Sequence, residues 1–226
     1  MKIRVRGSIE AQYPPERGTV HISMSLEGPK KEDVVRSLTR LVAKMTDRVV
    51  GEHQPDTGPI TWYSQGQLRN SAHRPWNKDG KRLPLVYTST AEMKVKFSAL
   101  QRLFGFIEEI STWEGVTVND VEWTLTEVAK QAAIERAQVA AVGQASAKAR
   151  RYAQAAGYSS VRPLIIADTG LLVDGGQAGG GPPAAGYSRA PAALARGSAD
   201  GPVFTPEDVK IECGVEAEFE AGENDG

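Results

Sequence analysis

The chain has 226 residues, 40% of them hydrophobic, which is enough for one large domain or two small ones with a sizeable core. Its net charge of −1 argues against a nucleic-acid-binding domain, and no stretch approaches the roughly 20 apolar residues of a membrane-spanning helix. Cys213 is the only cysteine, which excludes an intrachain disulfide and fits a reducing compartment. The opening residues lack the apolar core of a secretory signal, so we expect a cytoplasmic protein.

The first two predicted elements are β-strands. Residues 2–9, KIRVRGSI, alternate charged or polar positions with apolar ones, and residues 19–26, TVHISMSL, alternate in the same way. A period of two indicates half-buried strands of an antiparallel sheet. The segment YPPERG between them is typical of a hairpin loop, so we expect these two strands to pair with each other.

A helix and a second pair of strands are predicted next. Apolar side chains recur at helical spacing from Val34 to Val49, which predicts an amphipathic helix. Strands are expected near 59–69 and 84–97, joined by a polar loop. Ser98 with Gln101 is typical of a capping box that opens a second helix. The predicted inner face of this helix consists of Leu100, Leu103, Phe104, Ile107 and Ile110.

The segment GVTVNDVEWTL predicts a further strand, after which Thr126 is placed to cap a long helix. This helix is expected to run to about Ala156, to measure roughly 45 Å, and to end at Gly157. Alanine recurs at every fourth position, and small side chains allow a backbone to approach closely. The stripe therefore predicts either packing on the chain's own sheet or a self-association face. The candidate residues for that face are Ala133, Ala137, Ala141 and Ala145.

The last part of the chain is expected to return to the same sheet. VRPLIIAD predicts a short strand, and residues 170–206 are rich in Gly, Pro and Ala, which favours a flexible insertion. DVKIECGVEAEFE then alternates clearly and predicts a final strand, with Cys213 facing the core as a buried thiol. We therefore expect a single domain formed by residues 1–169 and 207–222, followed by an acidic tail, 223–226.

No catalytic motif is present in the sequence. His53 with Asp56 offers two metal ligands, but a stable site needs three or four, so a solvated loop is the better interpretation and no metal or cofactor is expected. An aromatic and basic cleft around residues 62–82 is an alternative, as a small-ligand site or the active site of an enzyme. Its candidate contacts are Trp62, Tyr63, Arg69, His73, Arg74 and Trp76.

The basic segment RNSAHRPWNKDGKR surrounds Trp76, a pattern that can contact nucleic acid or an anionic surface. A polar hairpin loop with an NKDG turn is the simpler interpretation, and we do not expect nucleic-acid binding. The final segment, residues 207–226, holds eight carboxylates and one lysine. Charge alone therefore suggests that the basic loop of one subunit meets the acidic strand of another.

Three segments resemble the SIMPL-domain family. They are the opening IRVRGSIEAQYPPERGTVHISMSLEG, the alanine-rich AIERAQVAAVGQASAKARRYAQAAGYSSVRPLII, and the closing EDVKIECGVEAEFE. The resemblance implies a bacterial protein without established catalytic residues, in a family whose members are often exported and sometimes form ring-like homo-oligomers. We therefore expect an α+β fold, with an antiparallel sheet built from strand-strand-helix units and the long alanine-rich helix packed on it. The expected function is non-enzymatic, through self-association or protein binding.

Overall fold

The strands form two antiparallel sheets, in a computed structural model that describes residues 1–78, 82–172 and 205–223. One sheet has the order β1-β8-β7. The other has the order β3-β5-β2-β6, with β4 also paired to β5. The predicted α+β class is confirmed. The elements are β1 (Lys2–Tyr13), β2 (Arg17–Gly28), α1 (Lys31–Val50), β3 (Ile60–Gln65), β4 (Arg69–His73), β5 (Val86–Phe97), α2 (Leu100–Ser111), β6 (Val116–Thr124), α3 (Glu127–Ala155), β7 (Ser160–Asp168) and β8 (Val209–Gly222).

The predicted hairpin of the first two strands is wrong, because β1 and β2 belong to different sheets. β1 pairs along its whole length with β8, from Lys2 opposite Glu220 to Tyr13 opposite Val209. β2 pairs instead with β5 and β6. Pro14 and Pro15 follow β1 directly, and proline cannot donate the backbone hydrogen bonds of a strand ladder. The chain leaves one sheet at this point and enters the other.

The described residues form two compact units. The first contains residues 1–14, 125–172 and 208–223, with β1, β7, β8 and α3. The second contains residues 15–124, apart from 79–81, and residues 205–207. The expected single domain with boundaries at 169 and 207 stays a prediction. Most of the expected insertion, residues 173–204, lies outside the described residues, as do residues 224–226 of the expected tail.

The second unit buries one face of its sheet under α1 and α2. Five residues of the predicted stripe of α1 are buried, Val34, Leu38, Val42, Met45 and Val49, and the sixth, Leu41, is half-buried against the same core. The predicted inner face of α2 is only partly right. Leu103, Ile107 and Ile110 are buried as predicted, and Phe106, which was not predicted, is buried with them. Leu100 and Phe104 are only half-buried.

Two other predictions around the second unit fail locally. The Ser98 hydroxyl donates to the carbonyl of Gly58 at 2.7 Å, and α2 begins after Ala99 without a side-chain cap, so the expected capping box is wrong. The expected strand near 59–69 ends earlier, at Gln65 of β3. A further strand, β4, begins at Arg69 and runs into the residues expected to form a polar loop, and both strands pair with β5.

The first unit seats α3 on its three-stranded sheet. The Thr126 hydroxyl accepts from the N–H of Ala129 at 3.3 Å, and Gly157 has a φ of 85°, so both predicted ends of the helix are confirmed. The buried stripe of α3 consists of Ala133, Ala137, Ala141, Ala145, Ala149 and Ala153. The last four share a core with Ile3 and Val5 of β1 and with Val215, Ala217, Phe219 and Ala221 of β8.

Candidate functional site

Four of the six residues of the predicted aromatic and basic cleft lie on β3 and β4, at separate positions along β5. Trp62 lies opposite Lys96 of β5, whereas His73 lies opposite Val86 of the same strand. These β5 positions are ten residues apart, which at about 3.3 Å per residue separates them by about 33 Å. Arg69 lies between them, opposite Thr90. Arg74 and Trp76 follow β4 in the loop that leads to β5.

The side chains of this set also differ in their surroundings. Tyr63 packs against the core of the second unit, and its ring meets His53 edge-on with 5.0 Å between the ring centroids. Trp62 is exposed, with the ammonium of Lys96 5.9 Å from its ring centroid. Within the described residues, no group of three His, Cys, Asp or Glu side chains is placed to hold a metal ion, and this includes His53 and Asp56.

The proposed self-association face of α3 is buried within the chain itself. Ala133, Ala137, Ala141 and Ala145 are all buried, and a β-carbon on Gly7 of β1 would collide with the backbone of α3 at Ala141 and Ala145. Small side chains therefore serve close packing of the helix on its own sheet. A second chain does not reach these methyl groups unless α3 moves.

The sheet face opposite α3 carries a ladder of ion pairs. The side chains of β1 alternate, so Lys2, Arg4 and Arg6 point away from the helix. Glu218 of β8 is 2% exposed and lies 2.9 Å from the Lys2 ammonium and 2.6 Å from Nε of Arg4. Arg6 pairs with Glu216 at 2.6 Å.

Contacts of this kind lower the pKa of three carboxylates of β8, Glu216, Glu218 and Glu220. Hydrogen bonds from Lys2 and Arg4 lower the pKa of Glu218, and the hydrogen bond from Arg6 lowers the pKa of Glu216. Glu220 has a lowered pKa through its hydrogen bond from Arg162 of β7, at 2.8 Å. The acidic final segment was expected to meet the basic loop of another subunit. Three of its carboxylates are instead already paired within their own sheet.

Cys213 is half-buried at the margin of the core of the first unit, rather than fully buried as predicted. Burial raises the pKa of its thiol, and the charge of Asp168 raises it further. A raised thiol pKa lowers the fraction of reactive thiolate at neutral pH, so this environment does not activate a nucleophile.

Strand β7 exposes apolar side chains that the sequence analysis did not single out. Leu164, Ile165 and Ile166 are 40%, 47% and 50% exposed, on a strand that pairs with β8 alone among the described strands. The run LII within VRPLIIAD could have predicted this exposure. Three consecutive apolar residues cannot all face one side of a sheet, so at least one of them points away from the core.

The first unit is an α+β domain in which the N-terminal strand β1 and the C-terminal strand β8 are neighbours, with one helix on one face of the sheet. The chain belongs to the SIMPL family: the family model, described as a protein of unknown function (DUF541), matches residues 3–219. The predicted family is therefore confirmed. No curated protein matches the chain. None of the helices in the part of the chain that the structure describes has the length and apolar character needed to cross a lipid bilayer.

Proposed function

We propose that the protein acts by binding another protein chain, in the first place a second copy of itself, through the outer edge of β7. The observation that carries the proposal is the exposure of Leu164, Ile165 and Ile166 on an edge strand. An edge strand presents backbone N–H and C=O groups that can extend a sheet with a strand from another chain. We call the β7 backbone with these three side chains the β7 edge.

The other edge of the same sheet is better protected. Outward-pointing charges on β1 oppose strand addition, and the side-chain oxygen of Gln144 accepts the N–H of Ser8 at 2.7 Å. On β7, Pro163 and the register shift between Pro163 and Ile165 restrict a new ladder to the C-terminal half of the strand. The apolar side chains are concentrated in that part of the strand, next to the backbone groups that remain usable.

A second copy is the partner that fits this edge most directly. A two-fold interface uses the same surface on both chains, so two copies of the β7 edge would place six exposed aliphatic side chains beside one another, distributed over the two faces of the joined sheet. Removing apolar surface from water stabilises an interface by about 25 cal/mol for each Å² buried. The alternative function in a cleft around residues 62–82 has less support, since Trp62 and His73 lie far apart on the sheet. The expected cytoplasmic location stays a prediction.

Light scattering coupled to size-exclusion chromatography tests this proposal. The wild-type mass should rise with concentration, and Ile165→Lys should shift the protein towards the monomer because it places a charge in the apolar edge. The matched control is Val50→Lys, since Val50 is 51% exposed at the end of α1 in the other unit. A wild type that stays monomeric at high concentration, or an Ile165→Lys variant with wild-type mass, would reject the β7 edge as an interface.

A further inference from the structure

The described part of the loop between β4 and β5, residues 74–78 and 82–85, exposes an aromatic side chain to solvent. Trp76 is 85% exposed, more than any other large apolar side chain in the described part of the chain. Nη1 of Arg74 donates to the carbonyl of Leu83 at 2.7 Å, which joins the two arms of the loop near its base. Trp76 therefore lies between the two residues that this hydrogen bond joins. We call residues 74–78 and 82–85 the Trp76 loop.

The charge of this region is opposite to that of the rest of the chain. Residues 69–85 contain five basic side chains and one carboxylate, a net charge of +4, whereas the whole chain has −1 and the remainder therefore carries −5. Arg69, Arg74, Lys78 and Arg82 are exposed, and none of them forms an ion pair within the described residues. An asymmetric charge of this kind turns the loop towards an anionic surface and the rest of the chain away from it.

We propose that the Trp76 loop binds the surface of an anionic lipid bilayer. Lysine and arginine side chains are attracted to anionic headgroups, and each strengthens binding about five-fold when it lies near the surface. Tryptophan is enriched at the boundary between water and lipid, where its ring is in contact with apolar groups and its N–H can still form a hydrogen bond. This proposal uses different residues from the β7 edge and does not depend on self-association.

The composition of the loop favours a bilayer over nucleic acid. Single-stranded nucleic acid is held by several aromatic side chains along a basic groove, on which successive bases stack. Trp76 is the one aromatic residue of the Trp76 loop, and Trp62 lies on β3, six β5 positions from the partner of Arg69. The neighbours Pro75, Leu83, Pro84 and Leu85 are apolar, which suits the boundary of a bilayer better than a phosphate backbone.

Co-sedimentation of the full chain with vesicles tests the proposal. The protein should bind vesicles that contain phosphatidylglycerol and not vesicles of pure phosphatidylcholine, and added salt should weaken the binding. The double variant Lys78→Gln, Arg82→Gln should bind about 25-fold more weakly, from about five-fold for each charge removed. The control is Lys30→Gln, Lys31→Gln, which removes two exposed charges before and at the start of α1 and should leave binding unchanged.

Fluorescence quenching by brominated lipids examines the role of the indole. Quenching should disappear in Trp76→Ser and persist in Trp62→Phe, which removes another exposed tryptophan. Unchanged melting temperatures establish that the variants are folded. The proposal is overturned if phosphatidylglycerol vesicles are not bound, if both double variants lose binding equally, or if Trp76→Ser is still quenched. It is also overturned if a single-stranded oligonucleotide or polyglutamate binds the loop more tightly than the vesicles do.

Discussion

β1 and α3 approach each other closely at Gly7, and Gly7→Ala should destabilise the protein strongly. A β-carbon at residue 7 would lie 2.8 Å from the backbone nitrogen of Ala145 and closer still to the carbonyl oxygen of Ala141. Both atoms belong to helix backbone and cannot rotate away. The extra methyl group would therefore force α3 away from the sheet, or β1 away from β8.

The expected loss follows from this geometry. Overpacking a well-filled core costs about 1–3 kcal/mol, and a collision with backbone atoms of α3 that cannot move aside places Gly7→Ala at about 3 kcal/mol. Lifting α3 would also open gaps beneath Ala145 and Ala149, which share a core with β1 and β8. For a chain of this size, about 3 kcal/mol corresponds to a melting temperature lowered by about 6–12 °C.

Urea denaturation followed by circular dichroism measures the change. The control is Gly143→Ala on the same helix, where a β-carbon meets nothing within 4 Å. Because alanine is the better helix former, that variant should be more stable by up to about 1 kcal/mol. The same substitution is thus expected to act with opposite sign at two positions of one unit. A Gly7→Ala protein within about 0.5 kcal/mol of wild type would refute the close seating of α3 on β1.

Two further predictions concern the same unit. The lowered pKa of Glu218 means that its contribution to stability is present at neutral pH and is lost as the pH falls through the lowered value. Glu218→Gln should therefore be less stable than the wild type at neutral pH, and its stability should fall less on acidification to about pH 3. Denaturant unfolding at both pH values checks this, and parallel losses in variant and wild type would contradict it. Thr126→Ala removes the acceptor for the Ala129 N–H and should cost about 1 kcal/mol in the same unfolding assay, whereas an unchanged midpoint would mean that the cap contributes nothing.

The candidate surfaces show where nearness in the sequence misleads. Trp62, Arg69 and His73 are close in sequence, which suggested one cleft, but extended strands carry successive residues apart along β5. The β7 edge was missed for a different reason. VRPLIIAD was recognised as a strand, but whether a strand lies at the centre or the edge of a sheet depends on its neighbours. Those neighbours come from other parts of the chain.

The sequence by itself determined the elements whose signals are local. These signals act within a few residues of the structure that they determine. They are the apolar stripe of α1, the cap at Thr126, the terminal Gly157 and the alanine period of α3. Only the tertiary structure decided that β1 pairs with β8 and that the strands divide into two sheets. Alternation shows that one face of a strand is buried. The hydrogen bonds between paired strands are made by backbone groups common to every residue, so they do not specify the partner strand. The partner depends on how distant faces pack together.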